Sequence, residues 1–244
     1  MRGLIGQGLT ILVAALAGAG GGALAARHAG SGDGTAATEL VVRDYILANP
    51  EILPEAMQRL QAKQAGKAVA ANRAAIVEPF PGAVAGNPDG DVSVVAYLDY
   101  ACGFCRASLP AISGLIASDP GVRIVYRELP ILSPDSRSAA QMALAAALQG
   151  KFKPFHDALY AAGRVDAAAI ARAAQAAGLS AEATRVAQGP RVAAEIERNL
   201  RTASALGFTG TPSWVVGDQV LGGAQTLAGL QAAVAAARKA KPAA

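Results

Sequence analysis

Cys102-Gly103-Phe104-Cys105 is the part of the chain equipped for covalent chemistry. Two cysteines separated by two residues share one helical turn, so their sulfurs can exchange a disulfide. The pair sits where an apolar run, Val92 to Leu98, gives way to a helical pattern through Leu109 and Ile112 to about Ser118. A thiol at a helix N-terminus meets unsatisfied backbone N–H groups and the positive dipole end, and both favour the thiolate. Cys102 is therefore the expected nucleophile and Cys105, one turn in, the expected resolving thiol. Gly103 and Phe104 place no hydrogen-bonding side chain between the sulfurs, and Arg106 adds positive charge while pointing to solvent. No cofactor is implied. Tetrahedral zinc would need further ligands, but the histidines are His28 and His156, remote in sequence, and no second cysteine pair exists. Copper(I), soft and tolerant of low coordination, is the metal that two thiolates suit. A purely structural disulfide would close too short a loop to stabilise much.

The cysteines need a strand to present them and a sheet to hold that strand. Val92 to Leu98 is mostly apolar, as a strand buried on both faces should be, and Val122 to Glu128 reads as its parallel neighbour across the helix. From Pro134 to about Leu206 the pattern is helical throughout, with segments 138–149, 152–161, 166–177, 181–187 and 190–206. Ser213–Val216 and Gln219–Leu221, joined by Gly217-Asp218, form a hairpin, and a helix from Leu227 to about Arg238 closes the chain. The fold class is α/β, with the sheet interrupted by a helical subdomain at about 134–206.

Ahead of this lies a different kind of sequence. Residues 1–26 carry Arg2, an apolar stretch from Leu9 to Leu16 and a Gly/Ala-rich tail with Ala23-Leu24-Ala25 as a cleavage site, the layout of a secretory signal. The 24 uncharged residues between Arg2 and Arg27 are also enough to span a bilayer, so an uncleaved anchor stands beside it. Both readings put the remainder outside the cytoplasm. Residues 27–38 read as a tether, completing a leader over 1–38. Helices from Thr38 to the Asn49-Pro50 break and from Pro54 to about Gln64 follow, the second able to continue over 65–78 though with little apolar stripe, in a segment over 39–88 too small to bury a core alone. The net charge is +4, half of it on Arg2 and Arg27, and no basic stripe interleaved with aromatics is present, so nucleic acid is not an expected partner.

Three motifs carry a resemblance. Asp99-Tyr100-Ala101-Cys102-Gly103-Phe104-Cys105-Arg106, Tyr126-Arg127-Glu128-Leu129-Pro130 and Thr209-Gly210-Thr211-Pro212-Ser213 together resemble the DsbA-like branch of thioredoxin-fold proteins, over about residues 90–240. The resemblance implies a thioredoxin-like domain over 89–242 with a helical insertion, preceded by a small N-terminal helical segment. It implies a cis Pro212 facing the cysteines and a Thr211 backbone that receives an extended substrate. Cys102, Cys105, Thr211 and Pro212 would be catalytic, and Gly103, Phe104, Gly210 and Thr211 would touch substrate; Trp214 would lie close by, packed in the core. Without a histidine between its cysteines, the centre should oxidise less strongly than the strongest relatives. The acid often found six residues before the first cysteine is Ala96 here. Asp99 and Glu128 are the acids at hand for proton transfer, with a plain surface or loop charge as the alternative.

Val42 to Leu53 resembles the N-terminal region of ScsC-type (suppressor of copper sensitivity C) proteins, which implies self-association through 39–88 and a disulfide isomerase. Packing of that stub on its own catalytic domain is the competing reading. The expected partners are exported proteins with cysteines and a membrane thiol–disulfide redox partner. A dithiol oxidase and a periplasmic Cu(I)-binding protein are the alternatives.

Overall fold

A computed structural model describes residues 33–240. The signal or anchor expected over 1–26 lies outside them. Two compact units divide the chain, one ending at Leu60 and the other beginning at Gln61.

In the first unit, helix α1 (Asp33–Ala48) starts ahead of Thr38 and takes in the last residues of the expected tether. Asn49 ends it, its backbone N–H and its side-chain amide both donating to Tyr45 O at 2.9 Å. Helix α2 (Ile52–Val77) then runs well past Gln64. The Gln-, Lys- and Ala-rich stretch beyond that point lacks a clear apolar stripe but consists of strong helix formers, and only the Pro79 and Pro81 neighbourhood stops it. Leu40, Val41, Tyr45, Leu47, Leu53, Met57 and Leu60 are all exposed. Among the described residues no helix is long and apolar enough to cross a membrane.

The second unit is built on a five-stranded sheet in the order β1-β3-β2-β4-β5. Strands β2 (Val92–Leu98) and β3 (Val122–Glu128) pair in parallel, joined by helix α3 (Gly103–Ser118). Strands β4 (Ser213–Val216) and β5 (Gln219–Gly222) form the expected hairpin, with β4 antiparallel to β2. Gly217 alone in that turn has positive φ (+61°), which matches the Gly-first two-residue turn. The strand β1 (Val84–Gly86), antiparallel to β3, was not anticipated. Three residues are too few for a periodic signal.

Side chains alternate across the sheet. One face, with Val94, Ala96, Ile124, Tyr126, Trp214 and Val216, meets α3, the inserted helices and the last helix, α9 (Leu227–Ala240). The inserted helices are α4 (Pro134–Leu148), α5 (Phe152–Ala161), α6 (Ala167–Ala176), α7 (Ala183–Ala187) and α8 (Pro190–Ala205). Buried Ala139, Ala140, Ala143, Ala146 and Ala147 let α4 pack closely. At Gly82 (φ +85°) an added Cβ would sit 2.2 Å from Ala147 O, so the chain approaches α4 too closely for any side chain. The opposite face, with Val95, Tyr97, Val125 and Val215, packs on Val69 and Ile76 of α2 and Ala203 of α8. Full burial of Val69 and Ile76 contributes about 2 kcal/mol each.

Polar groups fasten α2 to this face as well. Arg127, 1% exposed, donates through Nη2 to Ala75 O (2.7 Å), Ile76 O (3.0 Å) and Glu78 O, which caps the C-terminus of α2. Its Nη1 pairs with Glu195 Oε1 of α8 at 2.6 Å and with Asn199 Oδ1 at 3.3 Å.

Candidate active site

The Cys102-to-Cys105 segment forms the junction of β2 and α3. Cys102 is the N-cap of α3, with extended backbone (φ −84°, ψ 114°), and its Sγ accepts from the Cys105 N–H at 3.4 Å. A sulfur stands here where helices ordinarily place a Ser or Asp oxygen. Both cysteines are free thiols. Cys105 is wholly buried, whereas Cys102 keeps 6% of its surface. A macromolecule therefore meets Cys102 first. Burial pushes the Cys105 thiol up, opposed in part by the nearby Asp99 backbone.

The loop ahead of β4 completes the site. The Thr211–Pro212 peptide is cis, and Cys102 Sγ donates to Thr211 O at 3.2 Å. Elements more than a hundred residues apart in sequence thus meet because β4 lies beside β2 in the sheet. Pro212 is buried, while Gly210 and Thr211 are half-buried. Ser213 Oγ donates back to Gly210 O at 2.8 Å and shapes the turn. Phe104 is exposed at 70%, with Gly103 and Arg106 exposed on either side of it. Trp214 is buried in the core beneath, its Nε1 donating to Gly223 O at 3.0 Å.

Neither acid is a surface charge. Asp99 is 1% and Glu128 3% exposed. Asp99 Oδ1 accepts from the Ala101 N–H at 2.9 Å, an Asx turn over the residues leading to Cys102. Its Oδ2 accepts from the N–H groups of Ile131 (2.9 Å) and Leu132 (3.0 Å). Glu128 Oε1 accepts from the Tyr100 hydroxyl at 3.3 Å, and His156 Nδ1 lies 3.1 Å from the same hydroxyl. Tyr126, Phe152 and Tyr160 surround the imidazole, with ring centroids 4.9, 5.2 and 4.8 Å away. Sequence reasoning weighed His156 only as a metal ligand. Its place in the aromatic run Phe152, Phe155, Tyr160 was the available signal that it is buried.

Burial sets the charges in this cluster. It raises the Glu128 carboxyl well above the carboxylate range, helped by the Asp99 charge and opposed by the Tyr100 hydrogen bond. It pushes the His156 imidazole from its ordinary 6.5 down to about 3, with the Lys153 charge adding to the effect. The His156 imidazole is neutral near pH 7. The native state binds a proton at His156 more weakly than the unfolded chain does, so stability is full above about 6.5 and drains away as pH falls toward 3. At Glu128 the native state binds the proton more tightly, so stability declines as pH rises above the ordinary glutamate range. Because Glu128 contributes the opposite slope over the same range, the His156 part is read as a difference: in urea unfolding, wild type is expected to lose on the order of 3 kcal/mol more than His156→Gln between about pH 7 and pH 4. An unchanged acid slope in that variant would show that His156 is not its source.

Comparison with known proteins agrees with this geometry. Residues 93–235 match the DSBA-like thioredoxin domain, and residues 35–67 match the copper resistance protein ScsC N-terminal domain. A thioredoxin-like oxidoreductase from Silicibacter pomeroyi is 43% identical, with a TM-score of 0.67 over 70% of this chain and 99% of that one. A linker-deletion mutant of Proteus mirabilis ScsC is 25% identical, with a TM-score of 0.68 over 83% of this chain and 93% of that one. The Na(+)/H(+) antiporter NhaA 3 of Salinispora tropica is 32% identical over 165 residues, 66% of this chain and 25% of the antiporter. The chain thus spans about a quarter of the length of the curated relatives it matches. The thioredoxin-domain match covers more than half of the chain and includes both cysteines and the cis proline, and the chain belongs to that family: it is a DsbA-like thioredoxin-domain protein whose N-terminal region matches the ScsC N-terminal domain.

Proposed function

We propose that the chain is a disulfide isomerase and reductase for exported proteins, working outside the cytoplasm and self-associating through its N-terminal region. The observation that carries this reading is the row of exposed apolar side chains on α1 and the start of α2, joined to a domain that presents a cysteine pair at a helix N-terminus beside a cis proline. Such a surface gains stability by meeting copies of itself. Several sites in one assembly suit the repeated attack that disulfide shuffling requires.

In the proposed cycle the Cys102 thiolate attacks one sulfur of a client disulfide. A Cys102–client bond forms, and the other client sulfur leaves as thiolate. A client thiolate then attacks the mixed disulfide, forming a new client disulfide and regenerating the Cys102 thiolate, with no net electron transfer. Alternatively the Cys105 thiolate attacks Cys102 Sγ, the client leaves fully reduced, and the Cys102–Cys105 disulfide is reduced again by a dithiol of a membrane partner. In this cycle Thr211 and Gly210 offer backbone to an extended client, Gly103 and Phe104 border it, and Pro212 shapes the turn that presents it.

Reactivation of scrambled ribonuclease by the full chain tests the reading. Recovery of activity that Cys102→Ala abolishes is the expected result, from a particle heavier than one chain in light scattering. Failure to reactivate, in a preparation that still oxidises a reduced dithiol peptide, would make it a DsbA-like oxidase. Retention of Cu(I) against a competing thiol chelator would instead favour a copper-binding role, which has the description of its N-terminal family behind it.

A further inference from the structure

Cys102 is introduced by a short turn, Asp99 to Cys102, between the end of β2 and the first residue of α3. Two bonds inside the turn close it: the Ala101 N–H donates to Asp99 Oδ1 at 2.9 Å and the Cys102 N–H to Asp99 O at 3.0 Å. A third bond comes from the helical insertion. Tyr160, near the end of α5, donates its hydroxyl to the same Asp99 O at 3.1 Å. A carbonyl oxygen has two lone pairs, and here one takes the N–H of Cys102 while the other takes a side chain from another layer of the fold.

Tyr160 is 3% exposed, and its ring packs against Tyr100 within the turn and His156 within its own helix, with both centroids 4.8 Å away. A phenylalanine would keep those ring contacts, so the hydroxyl is what the position adds. A buried phenol needs an acceptor, and the one it takes is the carbonyl that closes the turn. Burial first, and then the charges of Cys105, Glu128, Asp99 and Cys102, push the Tyr160 phenol up, so the hydroxyl stays a donor within electrostatic reach of both sulfurs. The turn in its place fixes Cys102 Sγ, which meets Thr211 O at 3.2 Å and the Cys105 N–H at 3.4 Å. That last contact is already long, and slackening of the turn would weaken a donor that favours the thiolate.

We propose that Tyr160 is a positioning residue, which reaches from the helical insertion to the Asp99 carbonyl, fixes the turn that sets Cys102 at the head of α3, and so keeps Cys102 reactive. This rests on Cys102 being the nucleophile and deepens that reading, whichever way the pair exchanges disulfides. It also gives α5 a part in the chemistry beyond covering the sheet.

Alkylation of the reduced full chain by iodoacetamide reads Cys102, because Cys105 is wholly buried. Tyr160→Phe is expected to slow it about fivefold at neutral pH and to raise the pH midpoint of the rate, as the thiolate loses part of its support. Phe152→Leu loosens the same helix at a ring that packs on Tyr126 and His156 and not on the turn. It should leave the midpoint in place even as Tm falls. An unmoved midpoint in Tyr160→Phe overturns the proposal, and so do equal shifts in both variants, which would reduce Tyr160 to packing. Should Tyr160→Phe not fold, wild type carries the test: with carbon-13 at the ζ position of its tyrosines, the Tyr160 resonance should move with the Cys102 alkylation midpoint, while that of exposed Tyr45 should not. A Tyr160 resonance indifferent to that titration overturns the proposal. Failure of wild-type Cys102 to alkylate would overturn the nucleophile assignment and this proposal with it.

Discussion

Cys105→Ser is expected to turn the chain into a covalent trap that accumulates as a mixed disulfide with its clients. The reason lies in the division of labour between the two sulfurs. Cys102 retains the N-cap position, the Cys105 N–H and its approach to Thr211, all of which are backbone features that a serine at 105 leaves in place. Formation of the Cys102–client bond should proceed. What disappears is the intramolecular attack on that bond, which owes its speed to the high effective concentration of a thiol one turn away. Reduction of insulin should fall at least about a hundredfold. Client-linked species should appear on non-reducing gels and vanish on adding dithiothreitol. Reactivation of scrambled ribonuclease should fall far less, because a client thiol can displace Cys102 by itself. Cys102→Ser should abolish both activities. Equal loss of both activities in Cys105→Ser would mean that shuffling also runs through the Cys102–Cys105 disulfide.

The largest expected loss of stability comes from a residue far from this chemistry. Arg127→Met should destabilise the fold by about 3–5 kcal/mol, because it leaves several backbone carbonyls without their donor and takes one of two cationic partners from the buried Glu195 carboxylate. Glu195 is 5% exposed and keeps only Arg198, at 2.6 Å, while the carbonyls of Ala75, Ile76 and Glu78 lose theirs. For a domain of this size that corresponds to a fall in Tm of about 10 °C or more. Adding Glu195→Leu should recover part of the loss, since it removes the stranded charge but not the stranded carbonyls. No recovery in the double variant would place the cost in the C-terminus of α2. Hydrogen exchange should locate the damage first at residues 69–78, which Arg127 clamps against the sheet.

Much of the site was legible because its signals are local. Two cysteines between a strand pattern and a helix pattern, and a Thr-Pro pair ahead of a late hairpin, each announce themselves within a few residues, and the motif resemblance joined them. Partnerships across sequence were not legible. Asp99 revealed its Asx turn in principle, but its grip on Ile131 and Leu132 depends on how the ends of β2 and β3 diverge. Arg127 read as a polar residue within a strand, when it is the most enclosed cation of the sheet. Glu128 and His156 gave no sign that they share one tyrosine hydroxyl. Periodicity reports which face of an element is apolar, and it cannot report which polar group will be buried with a partner supplied from elsewhere. Strand β1 escaped for a related reason, since its three residues are held by pairing with β3 and not by a pattern of their own.

The chain holds two cysteines in all, and both fall in a single turn. A chain of this kind has only one internal pairing, so it cannot mispair within itself as it folds. The alanines of α4 and the Arg127 clamp are held by contacts that use neither sulfur. In the proposed cycle, closing the pair therefore links two groups one turn apart and asks no rearrangement of those distant contacts.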